Sequence, residues 1–141
     1  MIKKLDQSKI DSLMEIWLEE NIRAHDFIPR TYWESNYAYV KRLLPAADVF
    51  LYEDRAGIKG FIGIVESSYI AGLFVSHKYQ SRGIGRELLI RTKEEYPSLK
   101  LDVYAKNVRA VNFYRKNGFK IEEEKEDRET GEVEYSMLWK L

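Results

Sequence analysis

The sequence predicts an α/β domain in which a central mixed, mostly antiparallel sheet of about seven strands is flanked by about four helices. Three observations lead there. The β-rich runs at residues 49–52, 61–65 and 69–75 are joined by turn signals at Arg55-Ala56-Gly57 and Ser67-Ser68, connections short enough to require antiparallel pairing. Behind them a helical period (Ile84, Leu88, Thr92, Tyr96) intervenes before the next run at 99–103, so those two strands run parallel through a right-handed crossover. Finally, the runs at 119–125 and 133–139 flank Thr130-Gly131 as a closing hairpin.

The remaining elements follow in order. Residues 2–5 form a short strand ending at Asp6. Ile10, Leu13, Met14, Trp17 and Leu18 fall on one helical face, with Asp6 or Ser8 as cap, and this helix is expected to end near Asn21. Residues 21–30 form a proline-bearing connection, after which Trp33, Tyr37, Val40 and Leu44 predict a second helix stopped before Pro45. Pro97 closes the third helix, and a fourth covers about 109–117, ended by Gly118.

At 141 residues, with 45% hydrophobic and 33% charged side chains, the chain is expected to form a single domain over 1–141 and buries too much apolar surface to be disordered. Lysine plus arginine number 23 against 23 aspartate plus glutamate, so no net field draws in nucleic acid or an anionic membrane. Cysteine is absent, which excludes disulfides, thiolate metal sites and a cysteine nucleophile and fits the cytoplasm. No signal-like apolar stretch opens the chain, and the charge-free segment between Glu66 and Lys78 is too short to span a bilayer. His25 and His77 lie too far apart in sequence to suggest a metal site, and no Gly-x-Ser-x-Gly elbow is present.

The most informative stretch is Gln80-Ser81-Arg82-Gly83-Ile84-Gly85-Arg86, between a strand and a helix start. Closely spaced glycines let backbone N–H groups turn outward, and a helix N-terminus adds positive potential, so the loop can cradle an anion. Gly85 is followed by Arg86-Glu87 rather than Lys-Ser/Thr, and Leu88 stands where a dinucleotide fingerprint needs its third glycine, which demotes both nucleotide readings. Alone, the loop is equally compatible with a turn that binds nothing.

It is followed, after a helix and a strand, by Asn107-x-x-Ala110-x-x-Phe113-Tyr114-x-x-x-Gly118-Phe119. Together the two motifs resemble the GNAT superfamily of acetyl-CoA-dependent N-acetyltransferases, and the element order matches over essentially the whole chain. The resemblance implies a sheet splayed between its fourth and fifth strands with acetyl-CoA in the opening. It implies pantetheine pairing along Leu73, Phe74 and Val75, and diphosphate on the amides from Arg82 to Arg86 beside Gln80 and Ser81. It also gives Tyr114 as the acid toward the CoA thiolate and Asn107, with Asn112, near the cofactor. Asp102 stands where some relatives place a base acting through water.

Each of these residues has a plainer reading beside it. Tyr114 is also a core aromatic, Asn107 a helix cap, Asn112 a surface polar residue and Asp102 a solvated strand carboxylate. His25, Asp26 and Phe27 fall in the acceptor-side loop, with Tyr32 and Tyr104 as further acceptor contacts, although a lone histidine is more often a cap or surface residue. The acidic segment 122–134, with eight carboxylates against Lys125 and Arg128, is either a solvated hairpin or a rim that attracts a cationic acceptor. The expected partner is an amine, as small molecule, peptide N-terminus or lysine, bound by a monomer or homodimer; a catalytically silent acyl-CoA-binding regulatory module is the alternative.

Overall fold

Alternation along the adjacent strands over residues 48–54 and 57–65 decides how the layers pack. In the computed structural model, which describes all 141 residues, Val49, Leu51 and Phe61 point to one face of the sheet, where they meet Leu13, Met14, Trp17 and Trp33. Phe50, Ile62 and Ile64 point to the other, against Leu88, Leu89 and Val111. The sheet is therefore covered on both faces, and burial of each set removes apolar surface from water at about 25 cal/mol per Å².

The strands are β1 (Ile2–Lys4), β2 (Asp48–Asp54), β3 (Gly57–Val65), β4 (Tyr69–Val75), β5 (Ser98–Tyr104), β6 (Lys120–Glu126) and β7 (Val133–Lys140). The helices are α1 (Ile10–Ala24), α2 (Arg30–Leu43), α3 (Ile84–Lys93) and α4 (Val108–Lys116). Seven strands form one sheet in the order β1-β2-β3-β4-β5-β7-β6. Every pairing is antiparallel except β4 with β5. The predicted mixed sheet, crossover and hairpin are all present.

Element ends shift for local reasons. Helix α1 runs past Asn21 to Ala24, and the His25 N–H closes it on the Asn21 carbonyl at 3.1 Å. Helix α2 begins at Arg30 rather than at the first apolar residue, because Pro29 presets the entry (φ −56°). Helix α3 stops at Lys93, short of Tyr96. Strand β3 starts at Gly57, directly after a turn in which the Asp54 carboxylate accepts from the Ala56 N–H at 2.8 Å.

The decisive feature is the junction of β4 and β5. The register of β4 against β3 skips Ala71 (Gly63 pairs Gly72, Ile64 pairs Ile70), a bulge that bends β4. Strand β4 then pairs with β5 only at Tyr69 and Lys100, with the Lys100 N–H reaching the Ser68 carbonyl at 2.9 Å. From Ala71 onward the two strands part, and the edge of β4 that includes Leu73, Phe74 and Val75 has no strand partner there. The expected splay is present. No helix is long and apolar enough to cross a membrane.

Candidate active site

The splay opens into a cleft of about 1650 Å³ whose walls are β4, the loop before α3, the end of β5, α4 and the C-terminal turns of α1. At its head, Gln80 follows a one-turn 3₁₀ segment, Ser81 takes φ 65° and Gly83 φ 82°. Left-handed backbone at Gly83 is cheap only without a Cβ. The consequence is chemical. None of the N–H groups of Arg82, Gly83, Ile84, Gly85 or Arg86 donates to any acceptor in the protein, and no side chain caps α3. Five consecutive free donors at a helix start form a site for an anion. Gly85 serves differently: a Cβ there would sit 3.1 Å from Phe113 Cζ, so α4 packs directly on the loop.

The loop is held from behind by α1. Glu20, on the buried face of that helix and only 6% exposed, accepts from the His77 N–H at 3.0 Å, from His77 Nδ1 at 2.9 Å and from Gln80 Nε2 at 3.3 Å. Gln80 Nε2 also donates to the Val75 carbonyl at 2.8 Å, fixing the end of β4. Arg109 of α4 reaches Ser81 Oγ at 3.1 Å. Glu19, Glu20 and His77 bring ligand-type atoms within 4.8 Å of one another. Because the Glu20 carboxylate already takes these bonds, the cluster reads as an anchor.

Tyr114 lies on α4, 8% exposed, with its ring edge-on to Phe113 and Phe119 at 5.3 and 5.5 Å. No protein group hydrogen-bonds its hydroxyl, and the residue lines the cleft. Burial pushes its pKa well above the ordinary phenol value, so it stays protonated across the neutral range. Asn107 caps α4: its Oδ1 accepts from the Ala110 N–H at 3.3 Å, while its Nδ2 faces His25 Nε2 at 3.2 Å.

Asp102, at the cleft wall, is occupied. It accepts from Ser136 Oγ at 2.6 Å and Tyr69 Oη at 2.8 Å, and pairs with Lys125 at 3.2 Å. Burial alone would raise its pKa, but the bonds from Ser136, Tyr69 and Lys125 outweigh burial and hold the carboxyl below the usual range. On the wall formed by α2 and the end of β5, Tyr32 and Tyr104 line the cleft and donate to Glu129 and Asp127 of the β6–β7 connection, each at 2.7 Å. Two carboxylates of the acidic segment are thus docked onto this wall instead of being wholly solvated.

The acetyltransferase (GNAT) domain family matches residues 19–141. The chain belongs to the GNAT acetyltransferase family. It is 34% identical over 140 residues to the peptidyl-lysine N-acetyltransferase YiaC of Escherichia coli, covering 99% of this chain and 96% of that protein. It is 27% identical over 121 residues to the peptidyl-lysine N-acetyltransferase YjaB of E. coli, covering 85% and 82%. Among solved structures, apo-form YjaB from E. coli superposes with a TM-score of 0.85 at 23% identity, covering 99% and 96%. The PaiA N-acetyltransferase from Thermoplasma acidophilum in complex with coenzyme A gives 0.80 at 23% identity, covering 100% and 98%. These structural likenesses establish the GNAT fold.

Against that family pattern, the cleft of this GNAT chain gathers most of the residues singled out in the sequence. Leu73, Phe74 and Val75 lie on one wall, with Gln80, Ser81, Gly83, Ile84, Gly85 and Arg86 at the head. Asn107, Asn112 and Tyr114 come from α4 and its cap. The residues present suit coenzyme A: free amides for a diphosphate, an unpaired strand edge for an amide-bearing arm, and a neutral phenol beyond.

The other residues singled out stand apart from the cleft or are already engaged. Arg82 offers its free amide to the loop, while its side chain is exposed over the Tyr79 ring at 5.7 Å, outside the cleft. Asp26 and Phe27 line a separate shallow depression beside Pro29, because α1 continues three residues further than expected and carries the loop past the opening. His25 does border the cleft, but both its ring nitrogens are engaged within the protein. Glu20 went unnoticed in the sequence. The signal was there: the stripe Leu13, Met14, Trp17 continues at Glu20 and Asn21, placing a carboxylate on a buried helical face.

Proposed function

We propose that the chain transfers an acetyl group from acetyl-CoA to the side-chain amine of a peptidyl lysine, by direct attack in a ternary complex, with Tyr114 as general acid. The observation that carries this reading is the row of free amides from Arg82 to Arg86 at the head of the same cleft that holds the unpaired Tyr114 hydroxyl. The 34% identity to a peptidyl-lysine N-acetyltransferase over nearly the full chain supports the acceptor class.

Acetyl-CoA, when bound, supplies a thioester already activated for attack. The chain's own residues do the rest. The loop amides and the Arg86 cation neutralise diphosphate charge, and Glu20 keeps the loop from collapsing onto its own free donors. The open edge of β4 orients the reacting end, a positioning effect that can lower a barrier by several kcal/mol, roughly 7–11 at its limit. Tyr114 holds a proton on Oη at neutral pH and delivers it to the leaving sulfur. Asp102 is an ill-suited base, since three donors stabilise its anion and lower its proton affinity. The amine proton therefore leaves through water.

An acceptor panel read by release of free CoA thiol tests this. Lysine-containing peptides are expected to support turnover, and Asp102→Asn in the same assay is expected to keep the acid limb of the pH–rate profile. Tight CoA binding with no thiol release from any amine would instead favour the regulatory module, and loss of the acid limb in Asp102→Asn would return the base to that carboxylate.

A further inference from the structure

The ring of His25 bridges the end of α1 and the start of α4 across the splay. It is 9% exposed, stacked on Trp33 at 5.1 Å and edge-on to Phe27 and Tyr104 at 5.7 and 5.2 Å. Its hydrogen bonds can be assigned without ambiguity. The Ala110 N–H fixes the Asn107 carbonyl oxygen toward α4, so the group that Asn107 turns to the histidine is its NH₂, which can only donate. Nε2 of His25 must then be the acceptor at 3.2 Å, and the ring proton must be on Nδ1, donating to the Asn21 carbonyl at 2.9 Å.

We infer that His25 is a positioning residue: as the neutral Nδ1–H imidazole it orients the Asn107 amide and ties the C-terminal turn of α1 to the N-terminus of α4, the helix that carries Tyr114. The inference rests on the acetyl-transfer reading above. The bridge works in one protonation state only. An imidazolium would point an Nε2–H at the Asn107 NH₂, donor against donor, and release the cap of α4. Burial lowers the His25 pKa from its ordinary 6.5 and the bond to Asn21 only partly offsets this, so the release falls on the acid side of that value.

No ion pair faces the ring. The groups around it are Asn21 from α1, Phe27 from the following loop, Trp33 from α2, Tyr104 from β5 and Asn107. The charged groups nearest those contacts along each element are Glu20 and Arg23 on α1, Asp26 in the following loop, Arg30 and Glu34 on α2, Asp102 on β5, and Lys106 and Arg109 on either side of Asn107, with the Lys106 ammonium over Phe27 at 5.5 Å. Beyond them, Tyr32 and Tyr104 hold Glu129 and Asp127. Tyr104, pushed far up by burial, and Tyr32, also raised, stay neutral through the acid range.

The test pairs ¹⁵N NMR of the histidine rings in the full chain with pH–rate profiles of three forms. The Nδ1–H tautomer is expected for His25 at pH 8; an Nε2–H tautomer would overturn the inference whatever the enzyme's activity. His25→Gln keeps a carbonyl oxygen near the Nε2 position and cannot be protonated. It is expected to hold kcat within about 3-fold of wild type at pH 8 and to lose the acid limb assigned to His25. His25→Phe, which preserves ring volume but breaks the bridge, is expected to lower kcat about 10-fold at unchanged KM for the acceptor. Wild-type kcat in His25→Phe, or an unchanged acid limb in His25→Gln, would also overturn it. If no amine is acetylated by wild type the transfer reading fails, while the tautomer still decides the bridge. Should His25→Phe not fold, the other two measurements stand.

Discussion

Tyr114→Phe is expected to lower kcat by about 10² or more, the usual contribution of a positioned acid, while leaving the affinity for coenzyme A within about 2-fold of wild type. The substitution is unusually clean here. The ring packs edge-on between Phe113 and Phe119 and contributes to the core beneath α3 and α4. Phenylalanine retains that packing and removes only a hydroxyl with no protein partner. Thermal stability should therefore hold or rise, by about 1 kcal/mol, as an unpaired buried hydroxyl is removed. Single-turnover release of CoA thiol, run beside a CoA titration, separates the two effects. Unchanged turnover would remove Tyr114 from the chemistry.

Gly85→Val is expected to act on the opposite half of the reaction. Its Cβ would lie 3.1 Å from Phe113 Cζ and 3.7 Å from Val75 Cγ2, and the two methyl groups beyond it need further room, so either the Phe113 ring or the loop has to give way. Displacement of the loop would misalign the amides on either side. Losing two hydrogen bonds to a charged group, each worth about 1.5–3 kcal/mol, corresponds to an affinity loss of roughly 10²-fold or more for acetyl-CoA. The contrasting position is Gly83, where a Cβ meets nothing within 4 Å but φ is 82°. Gly83→Ala should cost stability, about 1–2 kcal/mol of left-handed strain, ahead of affinity. A thermal melt and a CoA titration of both variants distinguish space from strain; equal affinity in wild type and Gly85→Val would show that the loop does not carry the diphosphate.

Much of this architecture was readable because it rests on local rules. Alternation at Val49, Phe50 and Leu51 sorts side chains to two faces, and Gly83-Ile84-Gly85 announces a turn into a helix start. What was not readable depends on contacts between distant segments. Asp102 alternates correctly toward the cleft, yet its role is set by Tyr69, Ser136 and Lys125 from three other parts of the chain. Charge pattern alone leaves the acidic hairpin either a solvated face or a rim, and only the distant Tyr32 and Tyr104 reveal partners for Glu129 and Asp127. The apolar period before His25 fades at Asn21, which makes it read as a loop residue. Three further residues of helix bring it against Asn107, a partner 82 positions away.

Cofactor binding in this cleft depends on unpaired backbone donors receiving the diphosphate of coenzyme A. The most direct measurement is a ¹H–¹⁵N titration of the full chain with coenzyme A, followed at the amides of Gly83, Ile84, Gly85 and Arg86. Those resonances are expected to move downfield most strongly and to saturate together. Saturable binding that leaves them in place while shifting amides elsewhere would contradict the assignment of the cleft.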